Sequence, residues 1–180
     1  MLPSIFIHIP KDLFEPAATR SFEGAAHGFE LRLGADEYTF EPPVTWSVEV
    51  TNTGGALLVT GSAAACCCCA CARCLESAEY ELEGQIEGYF LIPGEEAEVD
   101  DLEADEFDAL PADHRIDLAP LIQAALVLEV PRVPLCTDDC AGLCPVCGQN
   151  LNEGVCTCVQ EESDAPVNPF AVLKDLTFDD

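Results

Sequence analysis

The sequence predicts a β-rich α+β fold: an antiparallel sheet, one amphipathic helix, and a C-terminal cysteine-rich zinc-binding segment. Three observations carry that expectation. Apolar and polar residues alternate in two stretches (residues 44–51 and 78–90), one stretch has helical spacing (residues 118–128), and twelve cysteines cluster in two short regions.

Ile5, Ile7 and Ile9 alternate with polar or mixed neighbours and predict a first strand, which Pro10 ends. The Glu-, Ala- and Gly-rich residues that follow read as a loop, leading to short β-like pieces at residues 29–33 and 38–40. Val44, Trp46, Val48 and Val50 then alternate with Thr45, Ser47, Glu49 and Thr51, giving one apolar and one wet face. Asn52, Thr53, Gly54 and Gly55 supply the residues tolerant of left-handed backbone that a hairpin turn requires.

The return strand starts near Ala56 and runs to Ala70, through the consecutive cysteines Cys66, Cys67, Cys68 and Cys69. Neighbouring side chains of a strand point to opposite faces, so Cys66 and Cys68 face one way while Cys67 and Cys69 face the other. Four such sulfurs do not close one tetrahedron, and a free cysteine packs as a small hydrophobe. The run is therefore expected to pack rather than to ligate. Next, Ala78, Tyr80, Leu82, Ile86 and Phe90 alternate with Glu79, Glu81, Glu83, Gln85 and Glu87 in a further amphipathic strand.

Residues 94–110 carry nine acidic side chains and no basic one, which predicts a mobile acidic loop. Asp117 is placed to cap a helix with Pro120 in its first turn. Leu118, Leu121, Ile122, Ala125 and Leu128 form its expected buried stripe, and Pro131 and Pro134 end it. Asn168 and Pro169 open a last short helix over residues 170–176. The chain thus divides into a β-rich part with a CxxC hairpin (1–93), the acidic loop (94–113), the helix and its proline-rich exit (114–135), a zinc-binding knuckle (136–158), and a tether with a short helix (159–180).

The amino terminus has no basic region followed by a small-residue cleavage site, and the longest apolar stretch falls well short of the ~20 residues that cross a bilayer. A cytoplasmic location with no membrane contact is expected. In a reducing compartment, paired cysteines read as metal ligands or redox thiols rather than disulfides.

Cys71-Ala72-Arg73-Cys74 is a CxxC turn between two strands. Cys144-Pro145-Val146-Cys147-Gly148 has the knuckle form, in which proline and glycine shape a turn whose N–H groups face the thiolates. Cys156 and Cys158 complete a Cys₄ set with Cys144 and Cys147, and the economical assignment pairs Cys71 and Cys74 with Cys136 and Cys140. Cys140 and Cys144 are close enough in sequence for the ligands to be shared out otherwise. Two structural zinc ions are expected.

A thioredoxin-like CxxC needs a helix amino terminus to acidify its thiol. Cys71 and Cys74 lie between antiparallel strands, and Cys147 precedes Gly148, so neither turn is expected to activate a thiolate. Catalytic zinc usually keeps an open position beside His or carboxylate ligands, whereas His8, His27 and His114 stand alone. No phosphate-binding glycine loop or nucleophile elbow occurs. The expectation is a protein that is not an enzyme.

Lys and Arg total 7 against 34 Asp and Glu, a formal net charge of −27. Each zinc bound by four thiolates makes the chain more acidic still. Nucleic acid requires clustered basic residues, and none lies between Arg73 and Arg115. Direct RNA binding would need Arg32, Arg73, Arg115 and Arg132 to converge in space. The charge favours a strongly basic partner, or simply keeps the chain soluble.

The ordered set CARCLE (71–76), IDLAPLIQAALVLEVPRVPLC (116–136), CAGLCPVCGQNLN (140–152) and NPFAVLKDL (168–176) resembles the bacterial YceD family, known as the large ribosomal RNA subunit accumulation protein. The resemblance covers roughly the second half of the chain. It implies a non-enzymatic factor for accumulation of large-subunit ribosomal RNA and ribosome assembly. It also implies a link to a small basic ribosomal protein whose gene often neighbours the family's gene, making that protein or a large-subunit assembly intermediate the expected partner. The Cys66 to Cys69 run is not one of the family's motifs. Because members differ in whether they keep the carboxy-terminal cysteines, the metal sites are expected to serve stability. The competing reading is a thiol-based redox or metal-handling protein that uses the cysteine run directly.

Overall fold

A computed structural model describes residues 3–34, 36–41, 43–95 and 107–158. Its frame is a hairpin of two long strands, β5 (Val44–Asn52) and β6 (Ala56–Ala70), turned at Gly54 and Gly55, both of which have positive φ. β7 (Ser77–Leu91) then pairs antiparallel along the whole of β6. The other edge of β6 is shared: β5 covers its first half, and β4 (Asp36–Phe40) meets it at Cys67 and Cys68. β3 (Glu30–Leu33) pairs with β4 and β2 (Thr19–Ala26) with β5, while β8 (Asp108–Ala109) runs parallel to the end of β7. β1 (Phe6–His8) and β9 (Arg115–Asp117) form a separate two-stranded ladder.

Alternation puts Val44, Trp46, Val48 and Val50 of β5 in the core with Leu57, Val59, Ala63, Cys67 and Cys69 of β6 and Ala78, Leu82, Ile86 and Phe90 of β7. α1 (Ala119–Glu129) packs on that face, against β7 and β6. Contact is close because β7 has Gly84 beneath the helix, where a Cβ would lie 2.4 Å from the Ala125 carbonyl oxygen. The opposite face of the sheet is wet, with Glu49, Thr60, Glu79, Glu81, Glu83 and Glu87 exposed. No helix among the described residues is long and apolar enough to cross a membrane.

Three expectations are corrected. The loop after Pro10 contains a 3-10 helix, Lys11–Phe14, and the eight-residue strand β2. β2 is an edge strand with mostly exposed side chains, so it carries no alternation signal. Within α1 the buried positions are Ala119, Ile122, Ala125 and Leu126, while Leu128 is 82% exposed. At 100° per residue Leu128 lies on the far flank from Leu126.

The helix starts at Ala119 after Leu118, yet Asp117 still does the capping work, since its Oδ1 accepts the Ala119 N–H at 3.0 Å and the Ile5 N–H at 2.8 Å. Those N–H groups outweigh burial and hold its carboxyl below the usual range. The acidic loop is also shorter than expected at its far end, where β8 pairs with β7 and Leu110 is buried. Residues 96–106 of that loop and the short helix expected at 170–176 lie outside the described residues.

Candidate metal centres

The β6–β7 hairpin closes through the CxxC turn, where the Cys71 N–H donates to the Glu76 carbonyl at 2.7 Å and the Leu75 N–H to the Cys71 carbonyl at 3.0 Å. Leu75 takes a positive φ there. The chain leaving α1 is brought to this turn by two tyrosines. Tyr38 donates its hydroxyl to the Pro131 carbonyl. Tyr80 donates to the Leu135 carbonyl at 2.7 Å and accepts the Leu135 N–H at 2.6 Å. With Ala72 N–H on the Pro134 carbonyl, residues 131–135 are laid against the sheet and Cys136 and Cys140 meet Cys71 and Cys74.

The resulting sulfurs lie within 4.8 Å of one another. Cys71 Sγ is 3.7 Å from Cys140 Sγ, and Cys74 Sγ is 3.5 Å from Cys136 Sγ. A covalent disulfide is ~2.05 Å long, whereas four sulfurs ~2.3 Å from one tetrahedral ion stand ~3.8 Å apart. The spacing suits a tetrahedral metal ion. Cys71, Cys74 and Cys140 are buried, in a small apolar cluster with Leu135 and Leu143.

A second set, Cys144, Cys147, Cys156 and Cys158, also has its sulfurs within 4.8 Å of one another. It is built locally: the Cys144 N–H donates to the Gln149 carbonyl and the Gly148 N–H to the Cys144 carbonyl, with an isolated bridge between Leu143 and Asn150. Gly148 supplies the positive φ that this turn needs. Here Cys147 is exposed. Both groups match the division into fours expected from sequence, and either could hold a metal ion.

Electrostatics within the groups is compatible with a bound cation. Burial acts upward on Cys71, but the N–H groups of Cys74, Arg73 and Cys136 outweigh it and hold the thiol at about 6. Cys144 is held at about 6 by the N–H groups of Cys147 and Val146. Cys140 is lowered chiefly by the Asn152 side-chain amide, whose Nδ2 donates to its Sγ at 3.3 Å. Against this, the Glu76 N–H lowers Cys74, but burial and the neighbouring sulfurs push it up to about 12. Cys158 is pushed up to about 12, first by its hydrogen bond to Cys147. Each cluster therefore ionises its first thiols readily and resists losing the rest. A divalent cation removes that resistance.

This corrects the expectation that neither turn activates a thiolate: backbone N–H groups of a tight turn act as a helix amino terminus would. Two contributors were missed from sequence. Asn152 contacts Cys140 while its Oδ1 accepts the Ala141 N–H, and Tyr80 secures the approach of Cys136. Asn152 lies inside the CAGLCPVCGQNLN motif; Tyr80 gave no signal beyond its place in the alternation.

Cys67 and Cys69 are buried in the main core, and Cys66 and Cys68 lie on the wet face, as the alternation requires. None of the four joins either group. Three of the arginines considered for RNA are engaged locally: Arg32 with Glu37, Arg73 with the Cys140 carbonyl, and Arg115 over the Phe6 ring.

An uncharacterized protein of Mycobacterium tuberculosis strain H37Rv is 37% identical over 104 residues, covering 58% of this chain and 49% of its own length. One of Mycobacterium leprae is 30% identical over 124 residues, covering 67% and 55%. The large ribosomal RNA subunit accumulation protein YCED homolog 1, chloroplastic, of Zea mays is 30% identical over 164 residues, covering 75% and 54%. The chain thus spans about half the length of these relatives. No solved structure matches. The family described as large ribosomal RNA subunit accumulation protein YceD matches residues 59–177, from near the start of β6 through both cysteine groups, and the chain belongs to that family.

Proposed function

We propose that the protein is a non-enzymatic factor for ribosome biogenesis that supports accumulation of large-subunit ribosomal RNA, acting in the cytoplasm. The observation that carries this reading is the family match over residues 59–177, with the name of the Zea mays relative beside it. Two zinc ions serve as structural clamps: one held by Cys71, Cys74, Cys136 and Cys140, the other by Cys144, Cys147, Cys156 and Cys158. All-thiolate sets with no open position suit zinc in a structural role.

Mechanistically, the acidic surface holds a basic ribosomal protein or an assembly intermediate until it reaches RNA. The charge of −27 gives the required sign, and the exposed glutamates of β5 and β7 have no basic partner among the described residues. Direct recognition of RNA is not part of this mechanism, because three of the four arginines it would need, Arg32, Arg73 and Arg115, are engaged locally.

The test is capture of large-subunit assembly intermediates by the full chain at increasing salt. Binding that weakens as salt rises is expected; binding indifferent to salt, or none, overturns the electrostatic mechanism. The acidified thiols of Cys71 and Cys144 favour a second reading, a thiol-based redox or metal-handling protein. Metal analysis with thiol counting separates the two. About two tightly held zinc ions support clamps, and a reversible disulfide or a variable excess of soft metal supports the second.

A further inference from the structure

Among the described residues, β7 is paired along only one side for most of its length. Each of its residues has a partner on β6, but β8 meets only Phe90 and Leu91, so among the described residues no strand pairs with the other edge from Ser77 to Tyr89. The phase of the ladder tells which groups are left over. The Cys71 N–H bonds to the Glu76 carbonyl at one end and the Ile92 N–H to the Gly55 carbonyl at the other. Antiparallel bonding alternates, so in this register the even-numbered residues of β7 bond to β6 and the odd-numbered ones point their N–H and C=O away. The Leu91 carbonyl, which accepts the Leu110 N–H from the far side, has the parity this requires.

The outward-pointing backbone groups therefore belong to Glu79, Glu81, Glu83, Gln85 and Glu87. Their side chains are the exposed ones on the wet face. Donors, acceptors and carboxylates are displayed by the same residues at a two-residue period. No ion pair neutralises these glutamates among the described residues. On the inner face, Leu121 and Leu128 share one flank of α1, opposite the buried flank of Ala119 and Leu126. Leu121 packs over Gly88 of β7, where a Cβ would lie 2.8 Å from its Cδ1, and Leu128 on the same flank is exposed.

We propose that this edge takes up an extended basic segment of a partner protein as an added strand, with Lys or Arg at alternate positions beside Glu79, Glu81, Glu83 and Glu87 and apolar residues turned toward Leu121 and Leu128. Resting on the reading of a chain that holds a basic partner, this names where and how the partner is held. Main-chain bonds supply affinity and alternate side chains supply selectivity. A second copy of this chain fits poorly, since antiparallel β7–β7 pairing sets glutamates opposite glutamates. The chain's own residues 159–180 fit poorly as well, carrying six acidic residues and a single lysine.

The probe is a synthetic peptide of about nine residues, enough to span Glu79 to Glu87, alternating Lys with Val. Added to the full-length zinc-loaded protein, it is expected to bind, to slow amide exchange at Glu79, Glu81, Glu83 and Gln85, and to weaken as salt rises. Glu83→Pro removes an outward N–H without breaking the β6 ladder and is expected to weaken binding about tenfold, well beyond the loss from Glu83→Gln. Methylating peptide amides at alternate positions is expected to cost a similar factor in one of the two phases only, a result independent of how any variant folds.

Equal binding by wild type and Glu83→Pro, protection elsewhere, or no binding overturns the proposal. So does self-association of a Glu-to-Gln variant of β7 with no affinity for the peptide, which would make the glutamates edge protection alone. If the peptide adds to β7 but large-subunit assembly intermediates do not bind, the ribosomal reading falls and the edge stands. If intermediates bind wild type and Glu83→Pro alike, the edge falls and the ribosomal reading stands.

Discussion

Twelve residues of one type do two jobs here, and geometry alone assigns them. In β6 the consecutive cysteines 66–69 are split between the faces of a sheet, so no two neighbours share a pocket. In the two turns, CxxC spacing and a doubled-back chain bring four sulfurs within 4.8 Å. Cysteine thus packs as a hydrophobe where the backbone is extended and is grouped so that it could ligate a metal where the chain is tightly turned. The two tetrads differ in turn: one joins the sheet to a segment 62 positions later in sequence, whereas the other lies wholly within residues 144–158.

The largest effect should come from breaking the long-range tetrad. Cys74→Ser removes a ligand from the clamp between the hairpin and the exit from α1, and the loop it closes is long. Loss of about 4 kcal/mol is expected, together with a fall from two bound zinc ions to one. Denaturant unfolding and metal analysis check both. Cys156→Ser should also remove one ion but shift unfolding of the sheet by less than about 1 kcal/mol, because its tetrad closes only a local turn. Equal losses from the two variants would abolish the distinction between clamp and knuckle.

Next in size is the buried pair of the run. Cys67 is fully buried, so Cys67→Ser places a hydroxyl in the core and should cost about 1–3 kcal/mol without changing zinc content. A change in zinc stoichiometry would mean that the run ligates after all. The same residue predicts a pH response. Burial, then the neighbouring Cys69, Cys66 and Cys68, push its thiol up to about 11 from 9.0, against a smaller opposing pull from the Tyr80 N–H. A folded-state value above the unfolded one means that its contribution is complete below pH 9 and is lost as pH rises toward 11. Cys68, Cys69 and Tyr38 are raised as well and act in the same direction. Stability should therefore decline through that window in wild type, and less steeply in Cys67→Ala.

Much of this division is legible in the sequence. The alternation of Val44, Trp46, Val48 and Val50 and of Ala78, Leu82, Ile86 and Phe90 is a local consequence of half-burial, and period two carries straight into register. The facing of Cys66 to Cys69 follows from the same rule. β2 was missed because an edge strand that buries little has no period to read; its Gly24 is explained only by the Trp46 ring, which a Cβ there would approach to 2.6 Å. The sequence favours Leu128 over Leu126 for the buried stripe because a run apolar on all sides does not say which flank meets the sheet. Tyr80 acts across a separation of 55 residues with nothing nearby to announce its partner, whereas Asn152 acts across 12, inside the motif that begins at its partner Cys140.

The smallest expected effect is also the sharpest check on the comparison. Cys66 and Cys68 sit on the wet face, opposite Glu81 and Glu79 in the ladder, with their sulfurs outside both tetrads. Serine keeps the size and removes the soft ligand, so Cys66→Ser with Cys68→Ser should change stability by no more than about 0.5 kcal/mol and leave zinc content at two. Alkylation at neutral pH should mark these two residues ahead of Cys67 and Cys69, whose access is blocked by packing. A double variant that loses metal, or a reagent that modifies all four at one rate, would show the strand to be open or its cysteines shared with the turns. Then the face rule that separates packing cysteines from ligating ones would not hold in this chain.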